Sequence, residues 1–163
     1  MNLNEPIIAE IQHEAATTRR MLERVPQASL DWRPHEKSRT LGEVAAHVAN
    51  LPGIFLATLD RDEFDRHDYT ASTDTVADIL ETFDRNISAG LEVLRTQSDE
   101  QLLGPWRYRY GERVIFEMPR LPVIRLMALN HLIHHRGQLS VYLRLLDVPL
   151  PSVYGPTADE PQP

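Results

Sequence analysis

Four stretches of this chain carry apolar side chains at the three- and four-residue spacing of an amphipathic helix. We expect helices over about residues 4–24, 40–59, 74–95 and 122–147. Residues 26–39 and 61–73 are polar and are predicted to be loops. Pro26 ends the first stretch, and Pro52 should bend the second or remove one of its hydrogen bonds. The pattern therefore predicts an all-α protein whose leading architecture is an antiparallel four-helix bundle.

Local signals add detail to this scheme. Thr40 begins a capping-box pattern that should open the second helix, and Ser98 begins another that should open a short turn. Residues 105–118 alternate aromatic and basic side chains around Gly111, which predicts a small β-hairpin before the last long helix. A hairpin is marginally stable alone and should pack on the helices. From about residue 149 the periodicity is lost, and an extended tail is expected.

Length and charge restrict the class of protein. A chain of 163 residues suits a single domain, 1–163, with one hydrophobic core. It has no run of 18 apolar residues, and its acidic N-terminus lacks the features of a signal peptide. We therefore expect a cytoplasmic protein without a membrane partner. The net charge of −7 disfavours nucleic acid as a partner, so the grouped arginines are interpreted as a solvated surface.

The absence of cysteine limits the chemistry. Disulfides, thiolate metal ligands and a cysteine nucleophile are all excluded. Any metal ion must be bound by nitrogen and oxygen atoms, and any thiol chemistry requires a thiol from outside the chain.

The final helix contains two histidines, His131 and His135, that are four residues apart. This spacing places both rings on one helix face, about 6 Å apart along the axis, as in helical histidine pairs that bind zinc. No glutamate follows His131, so a zincin-type protease is disfavoured. Taken alone, such a pair is more often two separate histidines than a metal site, and a catalytic ion generally needs three protein ligands.

His47 lies in an apolar stretch of the second helix and has two possible roles. It is either a third metal ligand or a core histidine bonded to a backbone carbonyl, and spacing alone favours the core role. His134 points about 100° away from His135, so we expect it to support the site or to face solvent. The remaining histidines lack ligand spacing and are expected at the surface: His13, His35 and His67.

Residues 32–38, 41–47 and 130–160 resemble the DinB family, which includes damage-inducible and YfiT-like proteins regarded as metal-dependent enzymes. The three segments occur in the family's order, and the resemblance is least distinctive in the middle third of the chain. It implies a four-helix bundle, commonly a homodimer. It also implies a divalent ion such as zinc, nickel or iron, bound by His47, His131 and His135.

More distantly, the DinB family is similar to S-transferases and isomerases that use low-molecular-weight thiols such as mycothiol or bacillithiol. The resemblance thus implies a metal-dependent enzyme that activates such a thiol for attack on a small electrophile. There are two alternatives. One is a hydrolase that uses metal-bound water, and the other is a non-catalytic, stress-related metal-binding protein. The sequence assigns no catalytic residue and identifies neither the small-molecule substrate nor the metal.

Further side chains are candidates to orient the ligands or to line a pocket. They are Glu43, Asn50, His134, Gln138 and Tyr142. Ordinary helix-surface polarity would explain Gln138 and Tyr142 equally well. Arg136 has the charge to bind an anionic substrate, but a surface salt bridge is the favoured interpretation.

Overall fold

The computed structural model describes residues 2–68 and 75–161, and this part of the chain is mostly helical with one small sheet. The α-helices are α1 (Asn4–Leu22), α2 (Leu41–Asn50), α3 (Gly53–Asp60), α4 (Val76–Thr96), α5 (Asp99–Leu103), α6 (Arg120–Val123) and α7 (His131–Leu145). A π-helical segment, Ile124–Asn130, connects α6 to α7. Short 3₁₀ turns occur at Gln27–Ser29 and Arg66–Asp68.

Both capping boxes are confirmed. The Thr40 side chain accepts a hydrogen bond from the Glu43 backbone N–H, and the Glu43 side chain accepts one from the Thr40 backbone N–H. Ser98 and Gln101 make the same reciprocal pair at the start of α5. Each box satisfies backbone donors that a helix cannot pair within itself.

The second predicted helix is divided at Pro52. Helix α2 ends at Asn50 and α3 begins at Gly53, because proline has no N–H to donate and its ring disturbs the preceding turn. The last predicted helix likewise contains α6, the π-helical segment and α7. The predicted predominance of helix is therefore confirmed, whereas a simple four-helix bundle is not.

The predicted hairpin is confirmed and belongs to a three-stranded sheet in the order β1 (Glu63–Asp65), β2 (Pro105–Tyr110), β3 (Arg113–Pro119). Strands β2 and β3 are antiparallel, with an irregularity in register between Tyr108 and Arg109. Strand β1 pairs with β2 in parallel. Trp106 of β2 is buried, and its indole N–H donates to the Ala57 carbonyl of α3, so the sheet is fixed to the helices.

Strand β1 corrects the prediction of a loop over residues 61–73. Three residues are too few for an alternating pattern to show in the sequence. The strand forms because the outer edge of β2 offers unpaired backbone groups, and the Glu63 carboxylate lies 2.9 Å from the Arg109 guanidinium. Residues 69–73 of that predicted loop, and Asp74 at the predicted start of the third helix, lie outside the described residues.

The described residues form two apolar clusters, whereas a single hydrophobic core was expected. One lies where α1, α2, α4 and α7 meet and includes Leu22, Val48, Phe83 and Leu139. The other includes residues from α1, α3, α4 and the π-helical segment: Ile7, Ile11, Phe55, Leu94 and Leu129. The first cluster packs α2 against α7, and this contact brings the two histidine-bearing helices together. None of the described helices has the length and apolar character needed to cross a membrane.

Residues 149–161 of the tail have no regular secondary structure and pack back on α1 and α7. The Glu160 carboxylate pairs with Arg20 and Arg24, and the Asp159 carboxylate pairs with Arg144. These ion pairs join residues far apart in the sequence and hold the described part of the tail, up to residue 161, against the helices.

Arg136 is not at the surface, so the expected surface salt bridge is wrong. The residue is 2% exposed, and its Nη1 lies 2.7 Å from the carboxylate of the buried Glu14 on α1. Nη1 also donates to the Thr18 hydroxyl, and Nη2 donates to the Tyr154 hydroxyl. The Tyr154 hydroxyl in turn donates to Glu14. This network supplies the hydrogen bonds that a buried ion pair needs.

Candidate metal centre

The packing of α2 against α7 brings three histidines together. His47 lies in the last turn of α2, and His131 and His135 lie in the first turns of α7. The Nε2 atoms of His47 and His131 are 3.4 Å apart, and those of His131 and His135 are 2.9 Å apart. One nitrogen from each ring lies within 4.8 Å of the other two.

This geometry fits a divalent metal ion. An ion 2.0–2.1 Å from each nitrogen in tetrahedral geometry requires nitrogen atoms about 3.3 Å apart. The His47–His131 distance of 3.4 Å matches that value, and the His131–His135 distance of 2.9 Å is about 0.4 Å shorter. Three imidazole nitrogens form a donor set suited to zinc, nickel or iron and leave at least one coordination position open.

The three imidazoles are electrostatically prepared to act as neutral ligands. Burial lowers the pKa of His47 to about 3, and the charges of His135, Arg39 and His131 contribute further. Burial also lowers the pKa of His135 to about 4, against an opposing hydrogen bond with Gln138. Burial likewise lowers the pKa of His131. At neutral pH the rings are therefore uncharged, and protons do not compete with a metal ion for them.

Hydrogen bonds orient two of the rings. Nδ1 of His135 lies 2.7 Å from Oε1 of Gln138, and the tautomer that donates from Nδ1 keeps the Nε2 lone pair for an ion. The amide nitrogen of Gln138 lies 3.1 Å from Nε2 of His134. The His131 ring bonds to the Met127 backbone, inside the π-helical segment. Such segments often occur beside functional sites.

The other proposed supporting residues have separate hydrogen bonds. Glu43 caps its own helix, and the Asn50 amide donates to the Ala46 carbonyl. The Tyr142 hydroxyl donates to the Arg39 carbonyl, 3.2 Å away. That Glu43, Asn50 and Tyr142 support a metal site therefore stays a prediction. The histidines expected at the surface are exposed: His13, His35 and His67.

A cavity of about 470 Å³ opens beside the three histidines. Its other walls are apolar or aromatic side chains and two arginines, and they are Leu51, Ile54, Phe64, Trp106, Tyr108, Met127, Arg39 and Arg66. A second cavity of about 460 Å³ shares Arg39 and His135 with the first and is also lined by Gln138 and Tyr142.

The sequence did not indicate most of the residues that line these cavities. Phe64 and Arg66 lie at and just after β1, the strand that was predicted to be loop. The alternation of residues 105–118 indicated a hairpin, but it could not show which face of Trp106 and Tyr108 would meet the metal centre. The sequence could have indicated Arg39, because this residue directly precedes the Thr40 cap of the helix that carries His47.

Comparisons with known proteins identify a matching family and a similar bacterial protein. The DinB family model matches residues 1–163. YrdA of Bacillus subtilis (strain 168) is 26% identical over 152 residues, which cover 91% of this chain and 86% of YrdA.

Two solved structures are similar over most of their length. A DinB-like protein from Bacillus cereus ATCC 10987 has a TM-score of 0.68 at 28% identity, with 88% of this chain and 92% of that chain covered. The DinB-like protein YjoA from Bacillus subtilis has a TM-score of 0.72 at 18% identity, with 91% and 97% covered, which shows a common fold. Because the family model matches every residue from 1 to 163, this chain belongs to the DinB family.

Proposed function

We propose that this protein binds a divalent ion, zinc, nickel or iron, through His47, His131 and His135. We further propose that it uses the ion to activate a low-molecular-weight thiol toward a small electrophile. One observation carries the proposal: the three histidines line a cavity of about 470 Å³. An ion with a structural role needs four protein ligands and no adjoining space, whereas a catalytic ion needs an open position that a substrate can reach.

The ion, when bound, supplies positive charge that lowers the pKa of a nucleophile brought beside it. Three uncharged imidazoles leave that charge undiminished, and Gln138 fixes the ring of His135. In the proposed reaction the thiol loses its proton to solvent and its sulfur forms a bond to an electrophilic carbon. The leaving group departs from that carbon with the bonding electron pair.

One feature favours a thiol over water as the nucleophile, and a second is compatible with either. A hydrolase would need a general base near the open position. Among the described residues that line the 470 Å³ cavity, none is an aspartate or a glutamate. The chain also has no cysteine, so the thiol would enter as a second substrate. Hydrolysis and non-catalytic metal binding are the alternatives that the experiment below must distinguish.

A homodimer also belongs to the proposal, as does a single cytoplasmic domain that acts on small molecules without nucleic acid or membrane partners. In support of the dimer, Val141 and Leu145 lie one turn apart on α7 and are 58% and 57% exposed. A second copy of the chain would cover this apolar strip. Analytical ultracentrifugation measures the oligomeric state directly.

The test begins with elemental analysis of the purified protein. The protein is then assayed as metal-loaded and chelator-treated samples, with low-molecular-weight thiols and 1-chloro-2,4-dinitrobenzene as the model electrophile. We expect turnover that is lost with the metal and restored by its return. His47→Ala should abolish both metal binding and turnover, whereas the exposed control His13→Ala should change neither. Turnover that survives complete metal removal would refute the enzyme proposal. If metal binds without thiol turnover, metal-dependent hydrolysis of p-nitrophenyl acetate in the absence of thiol would favour the hydrolase, and no hydrolysis would favour the non-catalytic alternative.

A further inference from the structure

The cavity beside the metal centre has a charge opposite to that of the whole protein. The chain carries 24 acidic and 17 basic residues, for a net charge of −7. Nevertheless, the described lining of the 470 Å³ cavity contains Arg39 and Arg66 and no carboxylate. Two cations in a concave wall without local counter-charges produce a positive potential that attracts anions.

Arg39 is positioned to act at the histidine centre. Arg39 lines the same cavity as His47, His131 and His135. The Tyr142 hydroxyl donates to its backbone carbonyl and fixes the chain just before α2. Among the ion pairs of residues 2–68 and 75–161, none includes Arg39.

Arg66 begins the 3₁₀ turn directly after β1, and the two acids of β1 are already engaged. Glu63 lies 2.9 Å from the Arg109 guanidinium. Asp65 accepts hydrogen bonds from the backbone N–H and the ring of His67. Within the described part of the chain, Arg66 has no carboxylate partner of its own. An anionic ligand would supply the negative charge that the described lining of the cavity lacks.

The rest of the wall is suited to an apolar group. Phe64 and Tyr108 are stacked on neighbouring strands, with ring centroids 6.4 Å apart. Trp106, Leu51 and Ile54 extend this surface. Aromatic side chains of this kind bind flat or branched apolar groups by burial and ring stacking.

From these observations we infer that the substrate is a small organic anion: its carboxylate or phosphate binds Arg39 and Arg66, and its apolar or aromatic part packs on Phe64 and Tyr108. This inference rests on the proposed function, because it takes the cavity as the substrate site. Guanidinium groups suit it, since their planar donors match the oxygens of both anions.

The experiment measures binding of three matched probes by calorimetric or NMR titration. The probes are 3-phenylpropionate, phenyl phosphate and the uncharged 3-phenylpropionamide. Each is titrated into zinc-loaded and metal-free protein, as wild type, Arg39→Gln and Arg66→Gln. The control is Arg85→Gln, which removes an exposed arginine of α4 outside the cavity. Because both cavity arginines are exposed, we expect the variants to fold, and thermal melts verify this.

We expect each cavity variant to weaken binding of the anions about tenfold, with and without zinc, and to leave the amide unchanged. Arg39→Lys and Arg66→Lys should recover part of the loss, and Arg85→Gln should have no effect. The ratio between the two anions shows whether carboxylate or phosphate is preferred. The inference is overturned if the amide binds wild type as tightly as 3-phenylpropionate does.

The inference is equally overturned if anion binding depends only on zinc and is unaffected by either arginine variant. The anion would then be a ligand of the ion, and the proposed function would stand. If arginine-dependent binding persists in a protein that takes up neither zinc, nickel nor iron, the proposed function fails and the anion site remains. The two failures are therefore distinguishable.

Discussion

Replacing Gln138 with leucine should weaken metal binding without touching a metal ligand. In the wild type, Oε1 of Gln138 lies 2.7 Å from Nδ1 of His135, at the short end of the range for such a hydrogen bond. The amide nitrogen faces Nε2 of His134, and this second contact fixes the orientation of the amide. Leucine removes the acceptor, so neither the tautomer nor the ring orientation of His135 is held.

The size of the effect follows from the exposure of Gln138. Loss of the partner of a ligating histidine typically costs 10- to 100-fold in metal affinity. Gln138 is exposed, so water can replace part of the lost hydrogen bond. We therefore expect the lower end of that range, about tenfold in zinc Kd, which corresponds to about 1.4 kcal/mol.

The assay is a competition titration with a chromophoric zinc chelator at pH 7. Gln138→Glu keeps an acceptor at the same position and should bind zinc at least as tightly as wild type. Ser140→Ala, on the same helix, removes only a hydrogen bond to the Gly137 carbonyl and serves as the matched control. If folded Gln138→Leu binds zinc within twofold of wild type, then the contact with His135 does not orient the ligand, and the reasoning is wrong.

Three further predictions concern stability. Free zinc at 100 times its Kd should raise the free energy of unfolding by about 2.7 kcal/mol, and a chelator should reverse this gain. In thermal melts, zinc should therefore raise the melting temperature of the wild type and leave that of His47→Ala unchanged. For the metal-free protein, the lowered pKa values of His47 and His135 mean that the unfolded chain binds more protons below pH 6.5. The free energy of unfolding should therefore fall as the pH drops from 6.5 toward 4, and urea melts should show a shallower fall for His47→Ala. Arg136→Met should cost about 3–5 kcal/mol in urea melts because it leaves the Glu14 carboxylate buried without its cation, and Arg136→Met with Glu14→Leu should recover much of that loss. A single variant as stable as wild type would contradict this account.

The sequence predicted what depends on local spacing. The four-residue separation of His131 and His135 was enough to place both rings on one helix face. The capping pattern at Thr40 marked a helix start, and the one at Ser98 marked a short turn that is the five-residue helix α5. His47 was different, because its approach to α7 depends on how two helices pack, and spacing alone favoured a core role. Family resemblance supplied that third residue.

Other features depend on contacts between distant residues, and the sequence pattern missed them. Arg136 is buried because Glu14 on α1 receives its guanidinium, and nothing near Arg136 in the sequence indicates that partner. The three-residue strand β1 exists through its pairing with β2. The π-helical segment had no signal either, since its apolar spacing also fits an α-helix.

The parallel pairing of β1 with β2 has a consequence for how the protein folds. Parallel strands cannot be joined by a tight turn, and here the connection between them includes α4 and α5. Pairing Glu63 with Arg107 therefore closes a loop of roughly 40 residues, whose entropy must be lost before the contact stabilises the chain. The cavity wall of Phe64 and Tyr108 is accordingly expected to assemble late, after the helices, and the β1 amides should be among the first in the sheet to exchange with deuterium.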